Sequence, residues 1–234
     1  DPESNSSHAY GIPPKKVRKG AADALDKLKW KPETEGQRAS YLIAKEDWNA
    51  LVELGEASVK PLVEAMKWDN GDLIGYLGGG EGIEETLKRI GDSAVEVLSV
   101  ALTDEYHKVR KSATQILGKI GDARAVRPLT EVVLEDLVVR NYAIRALGEI
   151  GDVRAVESLV KLLKGGYAWN LYLEGERCNG TVWALEKVGW KPETDELRVT
   201  FLLAKGDLAG CSKLGERAVA PLIKLLRDDL WAPY

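Results

Sequence analysis

The chain has 234 residues, of which 44% are hydrophobic and 30% charged, a balance typical of globular proteins rather than disordered ones. Its formal net charge of −4 disfavours nucleic-acid binding, because domains that neutralise phosphates are usually basic. The two cysteines have no CxxC spacing, which indicates a reducing, cytoplasmic setting, and no uninterrupted apolar stretch approaches the roughly 18 residues that predict a membrane span.

In chain order, residues 1–14 are polar and contain three of the prolines. They lack the cationic and apolar regions of a signal peptide. We interpret this segment as a polar leader or the stub of an upstream segment, followed by a single repeat domain over residues 15–234.

A short motif then recurs, with glycines 91, 121 and 151 spaced by 30 residues. Each Gly suits the left-handed end of one helix, and the Asp after it suits the start of the next. Apolar residues follow at helical spacing, as in Val126, Leu129, Val133 and Leu134. A second-type helix carries Val-Arg-x-x-Ala at 17–21, 109–113 and 139–143, so each repeat is predicted to be a first-type helix followed by a second-type helix.

A longer repeat overlies the short one. Residues 30–34, Trp-Lys-Pro-Glu-Thr, recur as residues 190–194 at an offset of 160, and the agreement continues through 56 and 216. The sequence therefore predicts a variant helix pair that occurs twice. A last first-type helix is predicted over 216–228.

The motifs Ile-Gly-Asp-x-x-Ala-Val-x-x-Leu and Val-Arg-x-x-Ala resemble the short HEAT repeats first described in phycobilin lyases, over residues 17–230. This resemblance implies an all-α, right-handed α-solenoid of HEAT-like antiparallel helix pairs. It also implies charge pairs between neighbouring repeats, made by Asp92, Asp122 and Asp152 with Arg110 and Arg140.

The sequence offers little for catalysis. His8 and His107 are the only histidines, so the repeated His-Glu pairs that hold iron in the architecturally similar deoxyhypusine hydroxylases are absent. There is no GxSxG motif, and the Gly-rich segment 78–82 lacks the Lys-Ser/Thr of a phosphate loop. No catalytic residue, metal ligand or cofactor is predicted.

A partner surface is predicted on the second-type helices, which line the concave face in the families that this chain resembles. Insertions at 69–82 and 165–177 interrupt the repeat, and insertions often lie on the binding face. The aromatic residues of the second insertion either form a lip for a ligand or fill a gap in the core. The candidate binding residues are Glu85, Gln115, Tyr142, Arg145, Trp169, Tyr172 and Trp183.

The first interpretation of function is therefore a non-enzymatic scaffold that binds a protein or peptide on its concave face. The alternatives are a phycobilin-lyase-like accessory protein, handling a chromophore or its carrier protein, and a HEAT-like nucleic-acid-binding protein. Both ends of the repeat look cut in mid-unit, which suggests either an excised piece of a longer protein or head-to-tail self-association.

Overall fold

A computed structural model describes residues 15–67, 82–165, 171–173 and 176–227. The chain divides into two compact units, residues 1–112 and residues 113–234. The division falls inside a helix, and the repeat pattern runs across it, so no boundary was predicted there.

Unit 1 is a two-layer stack of helices. Helices α2, α4 and α6 contact one another in turn, α3 contacts α5, and α1 contacts α2. A 3-10 turn at Gly91–Ala94 joins α5 to α6. The helices are α1 (Lys15–Lys27), α2 (Glu35–Lys45), α3 (Trp48–Leu54), α4 (Glu56–Met66), α5 (Ile83–Ile90), α6 (Val95–Ala101) and α7 (His107–Ile120), which continues into unit 2.

Unit 2 repeats this arrangement. Helices α8, α10, α12 and α14 contact one another in turn, and α9 contacts α11 in the other layer. Short 3-10 turns lie at Ala123–Ala125 and Val153–Ala155. The helices are α8 (Val126–Glu135), α9 (Arg140–Ile150), α10 (Val156–Lys164), α11 (Gly180–Lys187), α12 (Asp195–Lys205), α13 (Leu208–Lys213) and α14 (Glu216–Arg227). The predicted fold class, an all-α α-solenoid of helix pairs, is confirmed.

One short β-hairpin accompanies the helices, and it was not predicted. Strands β1 (Leu171–Leu173) and β2 (Glu176–Cys178) pair antiparallel, with Tyr172 opposite Arg177. The hairpin overlaps the end of the insertion that was predicted over 165–177 and extends one residue past it. The signal that could have revealed it is the Glu-Gly pair at 174–175 between two short runs, because a Gly-containing pair is typical of tight hairpin turns.

On α8, the buried residues are those that the helical spacing predicts, except at Leu134. Val126, Leu129 and Val133 on α8 are buried, but Leu134 is 38% exposed and Val132 is buried instead. The reason is geometric: residues 129, 132 and 133 share one face at the i, i+3 and i+4 spacing, whereas residue 134 has turned away from it.

The junctions between repeats depend on backbone that only glycine adopts readily. Gly121 and Gly151 have φ values of 77° and 71°, in the left-handed region where a Cβ is unfavourable. The amide of Gly151 donates to the carbonyl of Leu147, which closes the end of α9. The predicted role of these glycines as helix terminators is confirmed.

After each of these glycines, an Asp and an Arg form a clasp. The Asp152 carboxylate accepts from the backbone N–H of Arg154 at 2.9 Å and pairs with the Arg154 guanidinium at 2.8 Å. Asp122 and Arg124 form the same contacts at 2.7 Å. The Arg154 guanidinium also donates to the carbonyl of Ala123 at 2.9 Å, so one clasp ties two successive junctions together.

The second-type helices use their Arg differently. The Arg140 guanidinium donates to the carbonyls of Val133 and Leu134 at 2.7 and 3.2 Å, which lie in the last turn of α8 and have few partners within that helix. Arg110 donates in the same way to the carbonyls of Asp104 and Glu105. These contacts hold α9 against the end of α8, and α7 against the loop that precedes it.

The duplication at offset 160 recurs in the local geometry of both units. Thr34 caps α2 by accepting from the Gln37 amide at 3.2 Å, and Thr194 caps α12 by accepting from the Leu197 amide at 3.2 Å. Asp47 and Asp207 likewise cap α3 and α13. The variant pair is therefore one structural module that occurs twice.

Ring contacts and an ion pair belong to the same module. Trp30 lies 5.9 Å from Tyr41 between ring centroids, and Trp190 lies 5.6 Å from Phe201 at the equivalent positions. In each module, the Lys at the end of the first helix also forms an ion pair with a carboxylate on the preceding helix. The pairs are Lys45–Asp26 at 2.7 Å and Lys205–Glu186 at 2.6 Å.

Truncating a core leucine should show how much each repeat depends on its neighbours. Leu129 and Leu159 are fully buried, so Leu129→Ala and Leu159→Ala should each lower the free energy of unfolding by about 2–5 kcal/mol, measured in urea. Leu137→Ala, at a position 71% exposed, is the matched control and should change it by less than about 0.5 kcal/mol. A loss below that value at both buried positions would contradict the core assignment.

Acid should weaken the clasps. The Arg154 guanidinium and backbone N–H lower the pKa of Asp152 from 3.8 to about 2. Because the folded pKa lies below the unfolded value, the stabilisation is present above pH 3.8 and is lost as the pH falls through about 2. In the Asp152→Asn variant, the free energy of unfolding should therefore decrease less steeply as the pH falls from 3.8 to about 2. Arg154→Gln should do the same, and an unchanged slope in both variants would show that the clasp contributes nothing.

Candidate functional site

The predicted binding residues divide between the two units. Glu85 lies on α5 in unit 1, where Lys88 pairs with it at 3.3 Å. In unit 2, Gln115 lies on α7, Tyr142 and Arg145 on α9, and Trp183 on α11. Trp169 and the side chain of Tyr172 lie outside the described residues, as does nearly all of the predicted insertion at 69–82.

The candidate residues on the second-type helices lie six or nine positions before a junction Gly, and these two sets of positions differ in exposure. The residues six before each junction Gly are half-buried at Glu85, Gln115 and Trp183 and exposed at Arg145. Among the residues nine positions before a junction Gly, only Tyr142 is half-buried. The smaller residues at the other three positions face the packed interior. Those buried residues are Gly82, Ser112 and Gly180.

Glycines on the second-type helices of unit 2 set how closely these helices pack. A Cβ at Gly148 would lie 2.8 Å from Cε3 of Trp183 and 3.1 Å from the Cα of Ala184, and a Cβ at Gly118 would lie 2.8 Å from the Cα of Ala146. Real side chains do not approach so closely, so α7, α9 and α11 meet only because these positions lack a Cβ. Neither residue was predicted to set this packing, although both Gly118 and Gly148 lie three positions before a junction Gly.

Trp183 therefore has a packing role as well as an accessible surface. An edge of its six-membered ring lies where a Cβ of residue 148 would be, and the Lys187 ammonium lies 5.7 Å from the ring centroid, within the range of a cation–π contact. The side chain is half-buried. The indole is held in one place, with part of it still open to solvent.

Arg145 is held in a similar way. Its Nε lies 2.8 Å from Oε1 of Glu149, an i,i+4 pair on α9. The other carboxylate oxygen of Glu149 lies 2.8 Å from the Cβ position at Gly118. Glu149 thus pairs with Arg145 and also reaches across to Gly118 on α7. We name Gln115, Tyr142, Arg145 and Trp183 the second-helix surface.

A different concavity lies in unit 1, and the sequence analysis did not predict it. It is a groove of about 630 Å³ along α1 and α2. Its walls include Ala22, Leu25, Trp30, Ser40 and Tyr41. The signal in the sequence is that three residues lining the groove are smaller than their equivalents in the second module. Gly36, Ser40 and Ala65 correspond to Glu196, Thr200 and Leu225.

One side of this groove is a charged network. Lys45 contacts Asp23 and Asp26 at 2.9 and 2.7 Å, and the Tyr41 hydroxyl donates to Asp26. The hydrogen bond to Asp26 raises the pKa of Tyr41, and the two carboxylates raise the pKa of Lys45. This network fixes Tyr41 and closes off its hydroxyl, so the groove presents mainly carbon atoms.

Groups suited to catalysis are sparse. Within the described ranges, no three His, Cys, Asp or Glu side chains gather as a metal site. Cys211 is buried 4.0 Å from the carbonyl of Val199, and burial raises the pKa of its thiol. A buried thiol with a raised pKa is a poor nucleophile.

The fold thus defines a repeat protein built from stacked helix pairs. Residues 83–140 and 96–170 match the family model for HEAT repeats, and these matches support a HEAT-like repeat protein. No curated protein matches the chain. Among the helices that the structure describes, none has the length and apolar character needed to traverse a bilayer.

Adding a methyl group between the second-type helices should be costly. Gly148→Ala should lower the free energy of unfolding by about 1–3 kcal/mol, because the new Cβ overpacks against Trp183. Gly20→Ala is the control: Gly20 lies within α1 with nothing within 4 Å of its Cβ position, so alanine should be neutral or stabilise by up to about 1 kcal/mol. Equal effects of the two substitutions in urea would disprove the close approach.

Proposed function

We propose that this chain is a non-enzymatic scaffold that binds a protein or peptide, and that the second-helix surface is its binding face. One observation carries the proposal. In two repeats of unit 2 the packing position keeps its identity, as Gly118 and Gly148, whereas the accessible position six before the junction Gly differs in each of three repeats, as Gln115, Arg145 and Trp183. A face with no partner has no need of such different side chains.

The types of residue fit a binding surface. Trp, Tyr and Arg are the residues that dominate binding energy at protein interfaces. Each unites a large apolar area with a polar group, so it can bury carbon atoms against a partner while still forming a hydrogen bond. Tyr142 and Arg145 are one helical turn apart on α9, and α11, which carries Trp183, packs against the same helix.

Their fixed positions also favour binding. A side chain that is already ordered loses little conformational entropy when a partner arrives. Glu149 holds Arg145, and Gly148 and Lys187 hold the Trp183 indole. This surface is therefore prepared for a ligand before the ligand binds.

We include in the proposed binding face three residues that lie outside the second-helix surface, namely Glu85, Trp169 and Tyr172. HEAT repeats are commonly protein-interaction scaffolds, and the concave face is the part of them that we propose for binding. Glu85 occupies the equivalent position in unit 1. Trp169 and Tyr172 stay predictions, because their side chains are outside the described residues.

A matched pair of arginines offers a direct test. Arg145 pairs with Glu149 on a second-type helix, and Arg127 pairs with Glu131 on the first-type helix α8, both at i,i+4. Affinity-tagged wild-type protein and Arg127→Ala should capture the same partner from the native lysate, and Tyr142→Ala with Arg145→Ala should lose it. The captured protein is then purified, and its affinity for each variant is measured by calorimetry.

We expect a loss of at least tenfold in affinity for the double variant, since hot-spot truncations typically cost about 2 kcal/mol or more. Equal affinity of the double variant and Arg127→Ala would place binding elsewhere. Uptake of a linear tetrapyrrole with a shift in visible absorbance would favour a chromophore-handling protein. A salt-dependent gel shift would favour nucleic-acid binding.

A further inference from the structure

The groove of unit 1 is the surface that a helix covers in unit 2. The offset of 160 relates α1 to α11 and α2 to α12. In unit 2, helix α10 contacts both α11 and α12, and three residues of α11 and α12 are buried. They are Thr181, Leu185 and Thr200.

The equivalent residues in unit 1 are open. Ala21 and Ser40 are exposed and Leu25 is half-buried, and Leu25 and Ser40 line the groove of about 630 Å³. Because the two modules share caps, ring contacts and ion pairs, the difference in burial comes from the helix packed against them. The groove therefore has the shape and apolar character that a first-type helix fills in unit 2.

Helix α14 is a first-type helix with an apolar face, and that face is exposed. Val219, Ile223 and Leu226 follow one another at the i, i+4 and i+7 spacing of a single stripe, and all three are exposed, Leu226 to 87%. Exposed apolar stripes of this kind are typical of surfaces that bind another molecule.

The same stripe is covered where it occurs elsewhere in the chain. The equivalents of Val219, Ile223 and Leu226 on α4 are buried against α5 and α6. Those equivalents are Val59, Val63 and Met66. The stripe on α14 thus has the composition of a packed surface and lacks that packing within the described part of unit 2.

Helix α14 also matches the helix that fills the groove position in unit 2. When the Ala-Val pairs at 155–156 and 218–219 are aligned, Leu159 and Leu162 of α10 correspond to Leu222 and Leu225, and Lys161 corresponds to Lys224. Leu163, which is 1% exposed, corresponds to the exposed Leu226. Both helices carry the same pattern of leucines.

We propose that α14 of one copy of this chain docks in the α1–α2 groove of a second copy, as α10 docks on α11 and α12. In this contact, the first-type helix α14 lies against the second-type helix α1 and the module that follows α1. This is the same order of helix types as in unit 2. The two surfaces differ, so the contact is head-to-tail, and each dimer leaves one groove and one stripe open for further copies.

The first measurement is the concentration dependence of the mass. A contact between one helix and one groove is small, and interfaces below about 1,200 Å² are typical of weak complexes. Sedimentation should therefore extend to several hundred micromolar, where the average mass should rise above that of one chain. A mass that stays at one chain overturns the proposal and leaves the groove to the helix of another protein.

Two variants then separate head-to-tail docking from symmetric docking. Leu226→Glu places a carboxylate in the stripe and leaves the groove intact, whereas Ser40→Glu places one in the groove and leaves the stripe intact. Both positions are exposed, so the fold should tolerate the changes, as circular dichroism will show. Each variant alone should associate at least about tenfold more weakly, because burying an unpaired carboxylate is unfavourable.

An equimolar mixture of the two variants decides the question. One intact stripe and one intact groove remain between them, so the mixture should form a dimer that does not grow further. Leu208→Glu, at an exposed leucine on α13 outside the stripe, is the control and should associate like the wild type. Full association by either single variant, or no dimer in the mixture, would overturn head-to-tail docking through these surfaces.

Discussion

The structure depends on one constraint: a pair of short helices cannot bury its apolar face without another pair. The described helices of this chain have 6 to 14 residues, and helices of this length are marginal in isolation. Leu129 and Leu159 become fully buried because α8 and α10 contact each other and the helices beside them. Stability therefore arises mainly between neighbouring repeats.

This constraint explains where the chain uses glycine and charge. Gly118 and Gly148 let the second-type helices approach each other, and Gly121 and Gly151 turn the chain back for the next helix. The Asp–Arg clasps act directly after Gly121 and Gly151, where Arg154 reaches the junction before its own. The charges of the repeat motif thus hold successive junctions together, and the proposed binding residues are left outside this framework.

The duplicated module shows how one sequence pattern can serve two purposes. Its caps, ring contacts and Lys–carboxylate pairs are the same in both units. What differs is the neighbour: α10 packs against the module in unit 2, whereas a groove lies at the corresponding place in unit 1. A core surface in one unit is thereby available for docking in the other.

The sequence by itself determined the helix pairs, their junctions and the repeat spacing. These features depend on local rules: a Gly at positive φ, an Asp at a helix start, and leucines at helical spacing. Only the tertiary structure decided that strands β1 and β2 pair and that Trp183 lies against Gly148. It alone also revealed the groove beside Trp30, since burial and close approach depend on which surfaces meet, and residue spacing along one helix does not specify the neighbour.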